Sequence, residues 1–586
     1  MSPIDPALAA RVAAWIAGDP DAEDRNALAD RLDAAEAGSA DAAADLADRF
    51  AGLLHFGTAG LRGPLGAGPA RMNLAVVTLA AAGIVAWLRG GGPEAAAQGV
   101  VIGRDARHGS EAFAERTAAI LAAAGIRALV LPGPQPTPLV PATVLRLGAA
   151  AGVVVTASHN PATDNGYKVY DRSGRQIVAP VDATIAEAMA SSGRACDVPY
   201  ARPEDPDIVR LGTDVVDAYV ADAVALLRVP AARRARLAYT PLHGVGGAVA
   251  RQAFAAAGFD DVVVVAEQAD PDPDFPTVAF PNPEEPGALD AGLALARRSG
   301  ASVLLANDPD ADRLGVAVPD PGAAGGWRAL RGDEIGPILA DHLLRHGGIE
   351  PGGTFATTIV SSSLLDAMAA DAGVPCARTL TGFKWIGRAP GPREHLAFGY
   401  EEALGFCVGG LAPDKDGITA ALLLAEAVAD LAASGQTVLD VLARLALAHG
   451  LHHTEQRSVR VAGIDGLAQV ARAMAQLRAA PPEVLAGRQV RRVVDLLDAS
   501  ATDHEALGSG ALPSADVVVL VLDGARLTVR PSGTEPKLKC YVEVVAPVAD
   551  LSALDGARAA AAVATGELLA GVLEALDLDE GPGRDG

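Results

Sequence analysis

Asp308, Asp310 and Asp312 alternate along 307-NDPDADR, so three hard oxygen donors sit on one short loop directly after the apolar run 302-SVLLA. Such a set suits a small oxygen-seeking cation such as Mg2+, whose remaining positions go to water or phosphate. An EF-hand also opens D-x-D-x-D, but it needs Gly at its sixth position and Glu at its twelfth. Those positions hold Arg313 and Pro319, so the EF-hand reading fails. A solvated acidic turn is the plain alternative, and the loop's place at the end of a buried strand favours the metal.

Other segments carry weaker signals when taken singly. In 156-TASHNP, Ser158 follows an apolar run and is flanked by His159, Asn160 and Pro161. A serine there can be a nucleophile if something stabilises its charge, yet Ser, His and Asn are ordinary turn residues and a loop histidine is more often a hydrogen-bonder than a base. No G-x-S-x-G elbow occurs, which leaves an α/β-hydrolase without support. Ten residues beyond the serine, 164-DNGYK ends at Lys168. Nearby metal and cations could draw that amine from about 10.4 toward neutrality and make it a proton acceptor. By spacing alone, a solvated lysine is the better reading. The segment 530-RPSGTEPK has the composition of a phosphate cradle, with Arg530 as a fork and Ser532, Gly533 and Thr534 supplying hydroxyls and backbone N–H groups. A hairpin turn reads equally well, and it is not a Walker A loop because the chain has no GK[ST]. In 399-GYEEALGF, Glu401 and Glu402 could grip vicinal sugar hydroxyls, or form an acidic turn.

The elements that must position these loops follow from hydropathy. Runs such as 98-QGVVIGRD, 152-GVVVTAS, 236-RLAYTPL and 261-DVVVVAE alternate with longer Ala/Leu stretches of helical period. That pattern indicates α/β domains with parallel sheets covered on both faces, and such sheets bind ligands beyond the carboxyl ends of their strands. The first 50 residues read as an N-terminal helical extension. Breaks at ARPEDPD (201–207), at PDPGAAGGWR (319–328) and near residue 450 suggest α/β domains at 51–200, 208–320 and 328–450, then an α+β domain at 455–580. The C-terminal LDLDEGPGRDG reads as a frayed tail.

Composition removes several classes. With 48 basic and 72 acidic residues among 586, the formal charge is −24, which argues against a nucleic-acid-binding face. The apolar stretch from Leu74 to Leu88 falls short of the ~20 residues that cross a bilayer, so a buried core helix is expected there. The cysteines Cys196, Cys376, Cys407 and Cys540 form no CxxC pair and read as reduced thiols. No secretory signal pattern opens the chain. A soluble, cytoplasmic protein is expected, with no membrane or nucleic-acid partner.

Taken together and in order, the motifs resemble the α-D-phosphohexomutase superfamily of phosphoglucomutases, phosphomannomutases and relatives. The matching stretches are FGTAGLRG (56–63), TASHNP (156–161), DNGYK (164–168), DPDADR (308–313), TGFKWIG (381–387), GYEEALG (399–405) and RPSGTEPK (530–537). The FGTAGLRG and TGFKWIG forms look like the branch holding bacterial phosphoglucomutases and eukaryotic phosphopentomutase and glucose-1,6-bisphosphate synthase. The resemblance implies a four-domain architecture, three related α/β domains and a C-terminal α+β domain around one cleft. It implies that Ser158 is the phosphoserine and that Asp308, Asp310 and Asp312 hold Mg2+ together with the phosphoryl oxygen on Ser158. Lys168 falls at the general-base position, Arg62 and Arg313 on active-site arginines, and His159 beside the nucleophile in the catalytic group. Glu401 matches the sugar-gripping glutamate, Lys384 the specificity loop, and Arg530, Ser532, Gly533 and Thr534 the distal phosphate site. Many relatives read GEESFG; here Tyr400 replaces the first Gly and Ala403 the Ser, which removes one sugar contact.

The expected reaction interconverts glucose 1-phosphate and glucose 6-phosphate through phospho-Ser158, with glucose 1,6-bisphosphate as intermediate and activator. Mannose or pentose phosphates are the alternatives within the family. Outside it stand a metal-dependent phosphatase using Ser158 and a non-catalytic sugar-phosphate binder. The expected partner is a phosphosugar, and the expected state a monomer or homodimer.

Overall fold

A computed structural model of the chain describes residues 4–54, 60–230, 233–460, 466–498, 507–508, 510–531 and 537–576. It divides into two compact units, one of Met1–Ala225, Arg236–Leu314 and Leu411–Leu422, the other of Leu226–Ala235, Gly315–Gly410 and Leu423–Gly586.

The first unit opens with helices Pro6–Gly18, Ala22–Glu36 and Ala40–Arg49. Each starts at an acidic or hydroxyl cap: Asp5, Asp21 and Ser39 accept from backbone N–H groups of the first turn, which those orphan donors require. Leu8, Val12, Leu28, Leu46 and Phe50 close a small core between them.

Next comes a six-stranded sheet in the order Leu61–Pro64, Asp164–Asp171, Ala151–Val155, Val100–Arg104, Ala128–Val130, Ile208–Arg210. The last four strands run parallel and the first two are antiparallel additions. Every residue of Ala151–Val155 is buried, as a continuous apolar run predicts for a strand covered on both faces. The apolar stretch at 74–88 is indeed a core helix, Leu74–Gly90, buried along most of its length. Gly83 is what lets it seat: a Cβ there would lie 2.7 Å from the Ile185 carbonyl of helix Val181–Ser191. The same unit holds a second set of parallel strands, Val262–Val264, Leu237–Thr240 and Val303–Asn307.

The second unit takes up the strand Leu314–Pro319 from Gly315 on, and this strand pairs antiparallel with Trp327–Leu330, Pro319 opposite Trp327. The Gly/Pro-rich stretch at 319–328 holds the turn of this hairpin. A four-stranded sheet follows in the order Cys376–Thr379, Gly353–Thr358, His395–Glu401, Gly405–Val408, parallel except for its last strand. The C-terminal part is an antiparallel six-stranded sheet covered by helices Gly466–Ala479 and Leu554–Ala575, which is the α+β arrangement expected. The latter helix is long and apolar enough to cross a membrane, but Ala561, Leu568, Leu569, Val572 and Leu573 bury its apolar face in this unit's core.

Candidate active site

Ser158 lies in the loop that leaves strand Ala151–Val155. Its backbone is left-handed, at φ 54°, a conformation costing a non-glycine residue roughly 1–3 kcal/mol. The loop is held in that state from both sides. Ser158 N–H donates to Thr156 Oγ1 at 2.9 Å, and one arginine from the neighbouring strand end, Arg107, binds four loop carbonyls. Its Nη2 donates to Ser158 and Asn160 at 2.6 Å each, its Nη1 to Pro161 at 2.6 Å and Asp164 at 3.2 Å. Asp105, 3.2 Å away and equally buried, is the counter-charge, and Phe275 covers the guanidinium face at 4.9 Å.

The acidic loop leaves strand Val303–Asn307 and is built as tightly. Asn307 bridges it, receiving the Tyr239 hydroxyl at 2.8 Å and donating to the Arg313 carbonyl at 2.7 Å. Arg313 N–H returns to Asp308 Oδ1 at 3.0 Å. Two glycines permit close backbone approach: a Cβ on Gly244 would lie 2.4 Å from Pro309 Cα, and one on Gly417 would lie 2.2 Å from the Arg313 carbonyl. The turn at 241–247 therefore cradles this loop, with Val245 N–H on the Pro309 carbonyl at 2.8 Å.

These two loops meet. Ser158 is 2% exposed, and its Oγ lies 3.2 Å from Asp308 Oδ2 and 3.1 Å from His159 Nδ1. Lys168 Nζ donates to Asp310 Oδ2 and Asp312 Oδ2, both at 2.8 Å. Lys415 Nζ stands 3.3 Å from Asp312, and Thr137 Oγ1 donates to Asp310 at 2.6 Å. Arg62 is joined to the serine loop through Asn160 Oδ1 at 3.0 Å, and Arg313 reaches Glu284 at 3.4 Å.

The charges are unevenly balanced. Burial, then repulsion from Asp310 and Asp312, pushes the Asp308 carboxyl well above its ordinary value. Asp312 goes the other way: burial works to raise it, but Lys168, Lys415 and Arg313 hold it well below. For Lys168, burial works downward and the two carboxylates outweigh it, so its ammonium is favoured. That direction is opposite to the one expected for a lysine poised as a base, because its neighbours here are anions. Burial, with help from Arg313 and Arg62, pushes His159 well below its usual value and leaves it neutral at pH 7. The residues fit a dication. Three carboxylates present oxygens within 4.8 Å of one another, all are at most 1% exposed, and Asp310 Oδ1 and Asp312 Oδ1 are buried without a hydrogen-bond partner.

The second unit carries the other predicted residues. Lys384 lies on the short helix Phe383–Ile386, its ammonium 5.5 Å from the Trp385 ring centroid. Arg530 Nη1 donates to Thr381 Oγ1, which ties the 530–537 and 381–387 motifs together. Glu401 ends strand His395–Glu401 and is half-buried. Its neighbour Glu402 receives Ser361 Oγ at 2.8 Å, and burial, with Glu401 and Asp333 beside it, pushes its carboxyl up to about 7. Tyr400 is fully buried against Gly336 and donates to Asp333 at 3.0 Å, so its replacement of a glycine serves packing. Ser532, Gly533 and Thr534 lie outside the described residues, as do positions 56–59 of FGTAGLRG.

Profiles of the phosphoglucomutase/phosphomannomutase family match this chain in series: alpha/beta/alpha domain I at 53–195, domain II at 217–322, domain III at 331–446 and the C-terminal domain at 459–561. The chain belongs to that family. It is therefore a phosphomutase, an isomerase that transfers phosphate intramolecularly. The "Probable phosphomannomutase" of Haemophilus influenzae is 40% identical over 480 residues, covering 80% of this chain and 93% of that protein. The "Probable phosphoribomutase" of Schizosaccharomyces pombe is 35% identical over 577 residues, covering 92% and 94%. A solved Thermus thermophilus structure assigned as a phosphomannomutase superposes with TM-score 0.65 at 25% identity, over 90% of this chain and 99% of that one.

Within the phosphomutase, sequence reasoning missed Arg107, Thr137, Lys415 and Glu284. Arg107 sits in 103-GRDAR after an apolar strand, and that placement is the one available signal. The others stand in segments whose local composition is that of ordinary turns.

Proposed function

We propose that this phosphomutase interconverts glucose 1-phosphate and glucose 6-phosphate through phospho-Ser158, with glucose 1,6-bisphosphate formed and consumed within each turnover. The observation that carries the reading is the Ser158 hydroxyl, buried and held 3.2 Å from Asp308 in a loop whose conformation Arg107 maintains. A nucleophile that must accept and return a phosphoryl group needs fixed placement and neutralising charge, and phosphoryl transfer draws its rate mainly from those two. Asp308, Asp310 and Asp312, with a phosphoryl oxygen on Ser158, would hold Mg2+. Bound there, Mg2+ would neutralise charge on the transferring phosphoryl group. Arg62 and Arg313 add positive charge beside it. Lys168 Nζ is the proton-handling atom: as an ammonium it offsets phosphoryl charge, and as an amine it accepts the proton of the attacking sugar hydroxyl. His159, neutral, can accept or donate one hydrogen bond to the serine hydroxyl without adding charge. Glu401 grips sugar hydroxyls, Lys384 contributes to sugar selection, and Arg530 with Ser532, Gly533 and Thr534 holds the phosphate that is not reacting.

A pentose phosphate is the second reading. Ala403 stands where many relatives carry a sugar-binding serine, and Tyr400 is buried with its hydroxyl committed to Asp333. The relative covering 92% of this chain is named for ribose phosphate. Removing one contact reduces discrimination among sugars by about 1–3 kcal/mol.

The deciding experiment is an isomerisation assay with Mg2+ and catalytic glucose 1,6-bisphosphate on glucose 1-phosphate, mannose 1-phosphate and ribose 1-phosphate, with inorganic phosphate followed separately. Ser158→Ala should abolish isomerisation of every substrate, and the ratio of rates names the sugar. Phosphate release without isomer would mean that water reaches phospho-Ser158, and the mutase assignment of this serine would fail.

A further inference from the structure

In the second unit, helix Gly332–Arg345 carries His342 and ends at His346 as its C-cap residue, one turn further on. Helix Gly417–Ala433 carries Glu426 and Asp430 at the same four-residue spacing. Residues so spaced share one helix face, and here the two faces meet. His342 Nε2 lies 2.9 Å from Glu426 Oε2, His346 Nε2 lies 3.0 Å from Asp430 Oδ2, and the two imidazole centroids are 4.7 Å apart. One ring nitrogen of each histidine and a carboxylate oxygen of Asp430 fall within 4.8 Å of one another.

Glu426 decides which nitrogen of His342 is available. The Glu426 side chain is fully buried and also receives the Arg228 and Val229 N–H groups and the Arg233 guanidinium. The Arg228 and Val229 N–H groups and the Arg233 guanidinium can only donate, so both Glu426 oxygens are acceptors in this arrangement. An ionised carboxylate only accepts, so Nε2 of His342 carries the proton and the lone pair is on Nδ1. That Nδ1 is buried and has no hydrogen-bond partner. A carboxylate fixing the far nitrogen of a histidine is the usual outer support of a metal-bound imidazole.

We propose that His342, His346 and Asp430 form a second divalent-cation site, of the zinc class, separate from the acidic loop. Two imidazoles and one carboxylate suit Zn2+, Co2+ or Ni2+, whereas the all-oxygen Asp308, Asp310 and Asp312 suit Mg2+. Ligand atoms about 2.0–2.1 Å from a tetrahedral ion are about 3.3 Å apart, close to the 3.0 Å between His346 and Asp430. The His346 and Asp430 side chains keep 25% and 23% exposure, which admits the ion and leaves room for a water as fourth ligand. Arg345, 3.7 Å from Asp430, has a second carboxylate in Asp341 at 2.8 Å, so Asp430 can turn to a cation without stranding it. Occupied, the site pins the end of helix Gly332–Arg345 to helix Gly417–Ala433. It does not depend on the mutase reaction.

The test titrates chelator-treated, full-length protein with Co2+ and follows its visible absorption, which nitrogen-ligated tetrahedral Co2+ intensifies and octahedral oxygen-ligated Co2+ does not. One equivalent should give the strong bands, and His346→Gln and Asp430→Asn should each lose them while circular dichroism stays that of wild type. Asp310→Asn should keep them. Absence of the bands in wild-type protein, their survival in both folded variants, or their loss in Asp310→Asn would each overturn the assignment. Zn2+ should also raise the melting temperature of wild type and leave that of Asp430→Asn unchanged, since an ion bound only to the native state stabilises it.

Discussion

Arg107→Met isolates the contribution of one buried guanidinium to the loop that carries Ser158, the proposed nucleophile. The side chain keeps an unbranched apolar stem and loses four N–H groups, each placed on a different carbonyl of the 158–164 loop, and it leaves Asp105 as a buried carboxylate without its counter-charge. Breaking a buried pair by removing one member costs about 3–5 kcal/mol, and that is the expected loss in unfolding free energy. The same change frees the loop from the geometry that keeps Ser158 at positive φ beside Asp308. A displacement of about 1 Å in a reacting group costs on the order of 100-fold in rate. The expected phenotype is thus a kcat lowered about 100-fold with a smaller change in KM, together with an earlier urea midpoint. Arg107→Lys should fall between, since one ammonium with three donors cannot serve four carbonyls spread across a planar fork. Isomerisation rates with glucose 1-phosphate and denaturation curves on the same preparations supply both readouts. A kcat equal to wild type in Arg107→Met would refute the role given to this arginine, whatever happens to stability.

Three further outcomes can be checked. Arg530→Glu should raise KM for the phosphosugar about 10- to 100-fold, the worth of a lost charge-assisted hydrogen bond, with an unchanged melting curve; an unaltered KM removes Arg530 from the binding site. Gly417→Ala must push a Cβ into space 2.2 Å from the Arg313 carbonyl and 2.5 Å from Asn307 Nδ2, so it should cost about 1–3 kcal/mol and raise the Mg2+ concentration needed for half-maximal activity, read by titrating Mg2+ in the assay. Asp416 is buried and its carboxyl is pushed up to about 6, mainly by burial, from 3.8. Between those values the native state keeps a proton that the unfolded chain has lost, so this group makes stability fall as pH rises from about 4 to about 6. Asp416→Asn should remove that slope, measured as denaturation midpoints across the interval.

Much of this site is legible in the chain because its loops obey strand punctuation. An apolar run with no polar interruption must be a covered strand, and the polar residues that follow it must emerge at its carboxyl end. Ser158 after 151–155 and Asp308 after 303–307 follow that rule, and alternation in 308–312 brings all three carboxylates into one cluster. What cannot be read are residues whose partners lie far along the chain. Arg107 looks like any basic residue in a turn until the carbonyls more than 50 positions later come to it. Lys415 acquires meaning only from Asp312. The direction of the Lys168 shift escapes sequence reading for the same reason: a lysine expected near cations is found between two carboxylates. Glu401 and Glu402 are identical in type and adjacent, and only the fold shows that Glu402 is the one committed to Ser361.

The stretch Leu411–Leu422 belongs to the first unit although almost 100 residues of the second precede it. Lys415 from that stretch offsets Asp312, Asp414 accepts from Gln176, and Gly417 lies against the acidic loop. A chain emerging from the ribosome can pair the strands around Ser158 and Asp308 early, yet it cannot complete the charge balance of that centre until Lys415 has been made. The serine and acidic loops are therefore finished late in synthesis, after residues 399–405 have already appeared.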